Sequence, residues 1–231
     1  MNASIVIPCY NEEENIHNLF STWKKTIEGK NIEVIFVNNG SQDKSQDIFT
    51  ELQKKNTDNQ IKVLNLKENK GYGGGIQEGL KIANGDILSW CHADNQVSVL
   101  DIISLIEAYV TQNNEKFVIK GRRRNRSFFD NFFTKNMGRV VKFITGFNLT
   151  DINAQPKVFS KKAFDKNKDY SSDFLFDLDF LLNAIINGFH ILEKNVTNLD
   201  REFGQAKGGG TFVGKIKLSI KTLSYLIEYK K

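Results

Sequence analysis

Asp94 is the residue whose chemistry is easiest to name. It stands in His92-Ala93-Asp94-Asn95-Gln96, just past the apolar run Ile87-Leu88-Ser89-Trp90. Mg2+ and Mn2+ prefer oxygen ligands and draw only one or two from the protein. A carboxylate at a strand end can therefore hold such a cation; the plainer reading is a cap on a helix starting near Val97. Asp177 and Asp179 could accept a proton. Two apart on one helix they cannot share a face, and Asp177, at the helix start, is the preferred base. Arg122, Arg123, Arg124 and Arg126 could hold an anion or form a solvated basic face. Gly71-Tyr72-Gly73-Gly74-Gly75 opens a helix whose N–H groups could hold a phosphate, or is a flexible loop. No Gly-Lys-Ser/Thr follows, so it is not a Walker loop.

These residues need a scaffold, and the apolar pattern supplies one. Ile5-Val6-Ile7 runs into Pro8-Cys9-Tyr10-Asn11-Glu12, and Val34 to Val37 runs into Asn38-Asn39-Gly40-Ser41. With Ile87 to Trp90, three strands deliver polar residues at their carboxyl ends, the edge where open α/β sheets bind ligands. Ile16, Leu19, Phe20, Trp23 and Ile27 keep the spacing of one helix face. Further helices are expected over Ser45 to Lys55, after Gly75, and from about Val97 to Gln112. Strands are expected over Ile61 to Leu66 and Phe117 to Ile119. Residues 1–120 thus alternate strand and helix, which predicts an α/β fold with a mostly parallel sheet covered on both faces. Beyond them come a phenylalanine-rich stretch from Phe128 to Phe147, a short strand near Val158, a helix from Phe176 to Asn187, and a strand from His190 to Leu192. A glycine-rich segment, 201–210, leads to a closing basic helix. One domain spanning 1–231 is the simplest organisation.

The 231 residues carry 40% hydrophobic and 26% charged side chains and a net charge of +5, ordinary for a globular chain with some affinity for anions. Two cysteines, Cys9 and Cys91, cannot build a four-cysteine zinc site; they read as buried residues of a reducing cytoplasm. The start lacks a signal-peptide pattern. No run of about 18 apolar residues exists, so any membrane contact is expected to be peripheral, at the inner face of the cell membrane. Phenylalanines interleaved with Lys135, Arg139 and Lys142 suit an interfacial helix or a core. Nothing resembles a nucleic-acid-binding motif.

The strand-end segments together resemble the nucleotide-sugar half of a family 2 glycosyltransferase of the GT-A type. Asp151 to Phe159, Asp177-Leu178-Asp179, Gly188-Phe189 and 201–207, in that order, resemble its polyprenol-phosphate branch. The Gln-x-x-Arg-Trp motif of processive synthases is missing. The resemblance implies an inverting enzyme that moves one sugar from a nucleotide donor, UDP first and GDP second, to a polyprenyl phosphate or other membrane-associated acceptor. A glycan or lipid hydroxyl acceptor, or an inactive nucleotide-sugar-binding protein, are the alternatives. Pro8, Tyr10, Asn11, Glu12, Asn38, Asn39, Gly71, His92, Ala93 and Asp94 would line the nucleotide. Asp94 and Gln96 would hold Mg2+ or Mn2+. Arg122, Arg124, Gln155 and Lys207 would meet acceptor or phosphate, and Asp177 and Arg201 would act in catalysis. His92, Asn38 and Asn39 stand where the family has aspartates. Oligomeric state is left open.

Overall fold

Period-two alternation sends the side chains of the first strand into two separate cores. In the computed structural model, which describes residues 2–112, 114–124, 128–197, 199 and 212–229, β1 (Ala3–Cys9) points Ile5 and Ile7 to one face and Val6 to the other. β2 (Ile32–Asn39) repeats this, with Val34 and Phe36 on the first face and Ile35 and Val37 on the second. The first core is covered by α1 (Ile16–Ile27), α2 (Ser45–Lys55) and α4 (Val99–Thr111). The second is covered by α3 (Gly71–Ile82), α5 (Phe128–Thr145), α6 (Phe176–Ile186) and α7 (Phe212–Tyr229). The expected apolar face of α1 is buried at every position.

The remaining strands are β3 (Ile61–Leu66), β4 (Ile87–Trp90), β5 (Phe117–Arg123), β6 (Lys157–Ser160) and β7 (His190–Val196). The seven strands lie in the order β3-β2-β1-β4-β6-β5-β7. All pairs are parallel except those of β6, which runs antiparallel to both β4 and β5. The chain winds outward from β1 to β3, then returns to place β4 on the other side of β1. That reversal opens a crevice beyond the carboxyl ends of β1 and β4, the position open α/β sheets use for ligands. Pairing of β1 with β4 ends at Val6 and Trp90, so Pro8 lies beyond it and no β4 partner needs its missing N–H.

The structure corrects three boundaries. The glycine run is not a loop: α3 starts at Gly71 itself. α4 starts at Val99, with the Ser98 side chain accepting from the Leu100 N–H at 3.2 Å. The cap is therefore Ser98, and Asp94 does not fill that role. β5 runs on through Arg122 and Arg123, so half of the arginine burst is strand. Among the described residues no helix is long and apolar enough to cross a membrane.

Candidate functional site

The mouth of the crevice is built by two strand-end loops laced together. Asn11 adopts a left-handed backbone, φ 52°. Its N–H donates to Ser41 Oγ at 3.0 Å, and its Oδ1 accepts from the Gln42 N–H at 2.8 Å. The Glu12 N–H donates to Ser45 Oγ at 3.0 Å, and Glu13 Oε2 accepts from the Lys44 N–H at 2.9 Å. Glu12 also takes the Asn15 amide at 2.6 Å, which fixes its carboxylate at the entry to α1. Tyr10 stands beside it, half-buried.

Asn38 and Asn39 sit behind this rim, both buried. The Asn38 amide donates to Gln46 Oε1 and Asn65 Oδ1, each at 3.0 Å, and its Oδ1 accepts from the Ser41 N–H. Asn39 donates to the Gly71 carbonyl at 2.8 Å and accepts from the Lys70 N–H at 3.0 Å. Ionised aspartates could not make those donations, being acceptors only. Here the two asparagines brace the rim loops and the start of α3.

Asp94 lies past the end of β4, 7% exposed, with Oδ1 accepting from the Gln96 N–H at 3.1 Å. Ala93 is buried and His92 and Gln96 are half-buried. The Gln96 carbonyl accepts from the Leu199 N–H at 2.8 Å, so the chain beyond β7 returns to this motif. Burial holds His92 below the usual histidine range against the pull of Asp94 and Asp177, and nearby Arg123 and Lys157 add to the lowering. The imidazole is thus neutral near pH 7. Among the described residues no three His, Cys, Asp or Glu side chains cluster to hold a metal. One carboxylate beside neutral donors still fits a Mg2+ or Mn2+ that brings most of its ligands as phosphate and water. Behind the motif, Cys9 and Cys91 are both buried, and burial pushes the Cys91 thiol up, out of nucleophilic use.

The glycine run serves close packing. A Cβ at Gly71 would lie 2.4 Å from Ser172 O, and one at Gly73 2.4 Å from Ser171 O and 2.5 Å from Phe176 Cβ. The Gly74 N–H donates to Ser172 O at 2.9 Å and the Gly71 N–H to Asn69 Oδ1 at 2.7 Å. Two amides of the run, those of Gly71 and Gly74, are thus taken by protein acceptors. Gly73→Ala is expected to cost about 1–3 kcal/mol through overpacking against backbone, read as a lower midpoint in urea.

Around Asp177 the structure assembles a buried cluster that sequence reading only half names. Asp177 is 1% exposed and Lys157 0%. The Lys157 ammonium pairs with Asp177 Oδ1 and donates to the Ala154 carbonyl at 3.1 Å. Gln155 Nε2 donates to the same Asp177 oxygen at 3.1 Å and to Tyr72 Oη at 2.7 Å. Tyr72 donates to Asp177 Oδ2 at 3.2 Å. Both carboxylate oxygens are therefore engaged. Burial and the facing Asp177 push the Tyr72 phenol well above the tyrosine range, so it stays a donor. Burial pushes Lys157 down to about 8, against the opposing pull of Asp177. Asp179, on another face of α6, takes the Ser171 N–H at 2.9 Å and Lys168 at 3.2 Å. It braces that loop, as two-residue spacing on a helix requires.

Lys120 faces Lys157 across β5 and β6. Its fully buried ammonium meets Glu193 at 3.1 Å and donates to the Asp151 carbonyl at 3.2 Å. Two ammonium groups thus grip the turn 151–154. That turn carries Asp151, whose carboxylate takes Arg123 at Nε, 3.2 Å, and Nη2, 2.5 Å, and the Arg123 N–H at 3.0 Å. Arg123 is half-buried, while Arg122 and Arg124 are exposed. Of the arginines that sequence reading offered for an anion, Arg123 is paired with Asp151. Gln155 is brought into the cluster. Arg126, Arg201 and Lys207 lie outside the described residues.

Residues 4–170 match the model of the family described as Glycosyl transferase family 2. A dolichol-phosphate mannosyltransferase of Pyrococcus furiosus is 31% identical over 148 residues, 61% of this chain and 41% of that protein. A UDP-N-acetylglucosamine–dolichyl-phosphate N-acetylglucosaminyltransferase of Methanococcus voltae is 29% identical over 232 residues, 91% of this chain and 90% of that protein. The chain spans about half the length of several of the curated relatives it matches, 41% to 62%. Among solved structures, glucosyl-3-phosphoglycerate synthase of Mycobacterium tuberculosis, in complex with Mn2+, UDP and glucosyl-3-phosphoglycerate, superposes with a TM-score of 0.73. It does so at 13% identity, over 99% of this chain and 79% of that one. At that identity the likeness is one of fold.

Proposed function

The chain belongs to glycosyl transferase family 2, and from that premise we propose that it moves one sugar, with inversion, from a nucleotide-sugar donor to a polyprenyl phosphate. The observation that carries the choice of acceptor is the engagement of Asp177. A hydroxyl acceptor needs a base within reach of its proton, and Asp177 is buried with both oxygens bound to Lys157, Gln155 and Tyr72. A phosphate acceptor is already anionic and needs positioning and charge compensation. Arg123, locked on Asp151 and close enough to influence His92, supplies that charge. The names of relatives that act on dolichyl phosphate favour the same acceptor.

In this reading Tyr10 and Glu12 meet base and ribose at the rim, with UDP the first donor and GDP the second. Asp94, with Gln96, would hold Mg2+ or Mn2+. When bound, such a cation neutralises the departing diphosphate as a Lewis acid. Neutral His92 offers an N–H toward phosphate or ribose. Arg123 fixes the attacking phosphate, and Asp177 holds Lys157 under it. The test is transfer from UDP- and GDP-sugars to a polyprenyl phosphate with MnCl2. A lipid-linked sugar is expected; absence of transfer together with absence of nucleotide binding overturns the reading.

The surface suits a lipid-borne acceptor. α5 splits its apolar residues: Val141 is buried, while Phe129, Phe132 and Phe143 are exposed, Phe143 at 89%. α7 packs beside α5 and leaves Val213, Ile220 and Ile227 exposed, with Lys217 and Lys221 next to them. An apolar stripe rimmed by cations binds anionic interfaces peripherally. Pelleting with anionic vesicles at low salt is expected, with release as salt rises and weaker binding by Phe143→Ser. No pelleting at low salt removes the membrane claim.

A further inference from the structure

The geometry points to Tyr72 as a positioning residue that joins the donor and acceptor sides of the site through two separable parts, its ring and its hydroxyl. The inference rests on the glycosyl-transfer reading above. The ring is the middle of a three-part stack. His92 lies on one side, centroids 5.3 Å apart at 24°, and Phe174 on the other, 4.9 Å at 14°. His92 belongs to the motif that carries Asp94, so the Tyr72 ring backs the donor side. The hydroxyl accepts from Gln155 and donates to Asp177.

From Asp177 the contacts run to Lys157, from Lys157 to the Ala154 carbonyl, and along the turn to Asp151, which clamps Arg123. The hydroxyl thus bears on the acceptor side. Tyr72 itself cannot wander. Gly71 and Gly73 on either side of it pack against the backbone of Ser171 and Ser172, and Phe174 lies in the same segment. One short loop, 171–174, therefore fixes the helix start and the back of the stack together.

The two parts predict different losses. Tyr72→Phe keeps the stack and removes the hydrogen bonds. It is expected to bind UDP or GDP with MnCl2 as the parent does in calorimetry, yet to transfer sugar with kcat lower by about tenfold and a raised KM for the lipid phosphate. That is the size typical when a partner orienting a site residue is removed. Tyr72→Leu removes both parts and is expected to weaken nucleotide binding about tenfold as well. Phe174→Leu, which leaves the hydroxyl in place, is expected to weaken nucleotide binding with less effect on acceptor KM.

A merely structural role would lower melting temperature and soluble yield but leave affinity and kcat per folded molecule unchanged. Parent-like kcat in Tyr72→Phe, or parent-like nucleotide affinity in both Tyr72→Leu and Phe174→Leu, overturns the assignment. A folded parent that binds neither UDP nor GDP would instead bring down the glycosyl-transfer reading, and this one with it, before any variant is made.

Discussion

Asp94→Ala is expected to lower sugar transfer by about 1,000-fold, because Lewis-acid stabilisation of a leaving diphosphate is worth several kcal/mol and each 1.36 kcal/mol is tenfold. The fold should hardly notice. The α4 cap is Ser98, and Asp94 accepts locally from the Gln96 N–H at 3.1 Å. Melting temperature is therefore expected to stay within a few degrees of the parent, and Mn2+ should no longer strengthen UDP or GDP binding in calorimetry. Asp94→Asn should fall nearly as far, since an amide oxygen lacks the charge that competes for a cation held mainly by phosphate. Full activity in either variant would remove Asp94 from the cation-binding role.

Lys157→Met has the opposite signature, a loss of fold before a loss of chemistry. It leaves the Asp177 carboxylate, 1% exposed, without its counter-ion. Breaking a buried pair from one side costs about 3–5 kcal/mol, which for a chain of this length is a drop of about 10 °C in Tm. Removing both charges in Lys157→Met with Asp177→Leu should recover most of that stability, while transfer stays impaired because the turn that holds Arg123 has lost its ammonium. A loss under about 1 kcal/mol in the single variant, against the 3–5 expected, would show that the pair is not buried as described.

The same lysine sets a pH signature. The unfolded side chain keeps its proton to about pH 10.4, whereas in the folded protein burial pushes Lys157 down to about 8. Between these values the unfolded state holds more protons, so the lysine's own contribution to stability rises with pH. The penalty for burying an ammonium, full below about 8, is relieved above it. Over the same interval its pairing with Asp177 disappears. Transfer is thus expected to fall along an alkaline limb near 8 belonging to the coupled pair, while Lys157 itself does not destabilise the fold. The check is the pH–rate profile set beside Tm over the same range.

Much of the scaffold was legible because its signals are periodic. The apolar run Ile5-Val6-Ile7 and the face of α1 each had one consistent reading, and the structure buries both. Runs of polar residues after three strands marked the rim that follows β1, β2 and β4. What escaped was whatever tertiary context inverted. Lysine reads as surface, and nothing local marks Lys120 and Lys157 as buried partners across two strands far apart in sequence. Five residues with four glycines read as a loop, because helix propensity is poor there; packing against Ser171 and Ser172 overrides it. Tyr72, inside that run, was hidden with it.

The lacing of residues 11–13 to residues 41–45 bears on any attempt to re-engineer donor choice. Because Asn11, Glu12 and Glu13 spend their bonds on Ser41, Gln42, Lys44 and Ser45, a graft of either loop alone from a homologue with another nucleobase preference arrives without its mate. Chimaeras should exchange the two segments as a matched pair, together with the buried asparagines beneath them, much as a lock is replaced with its key.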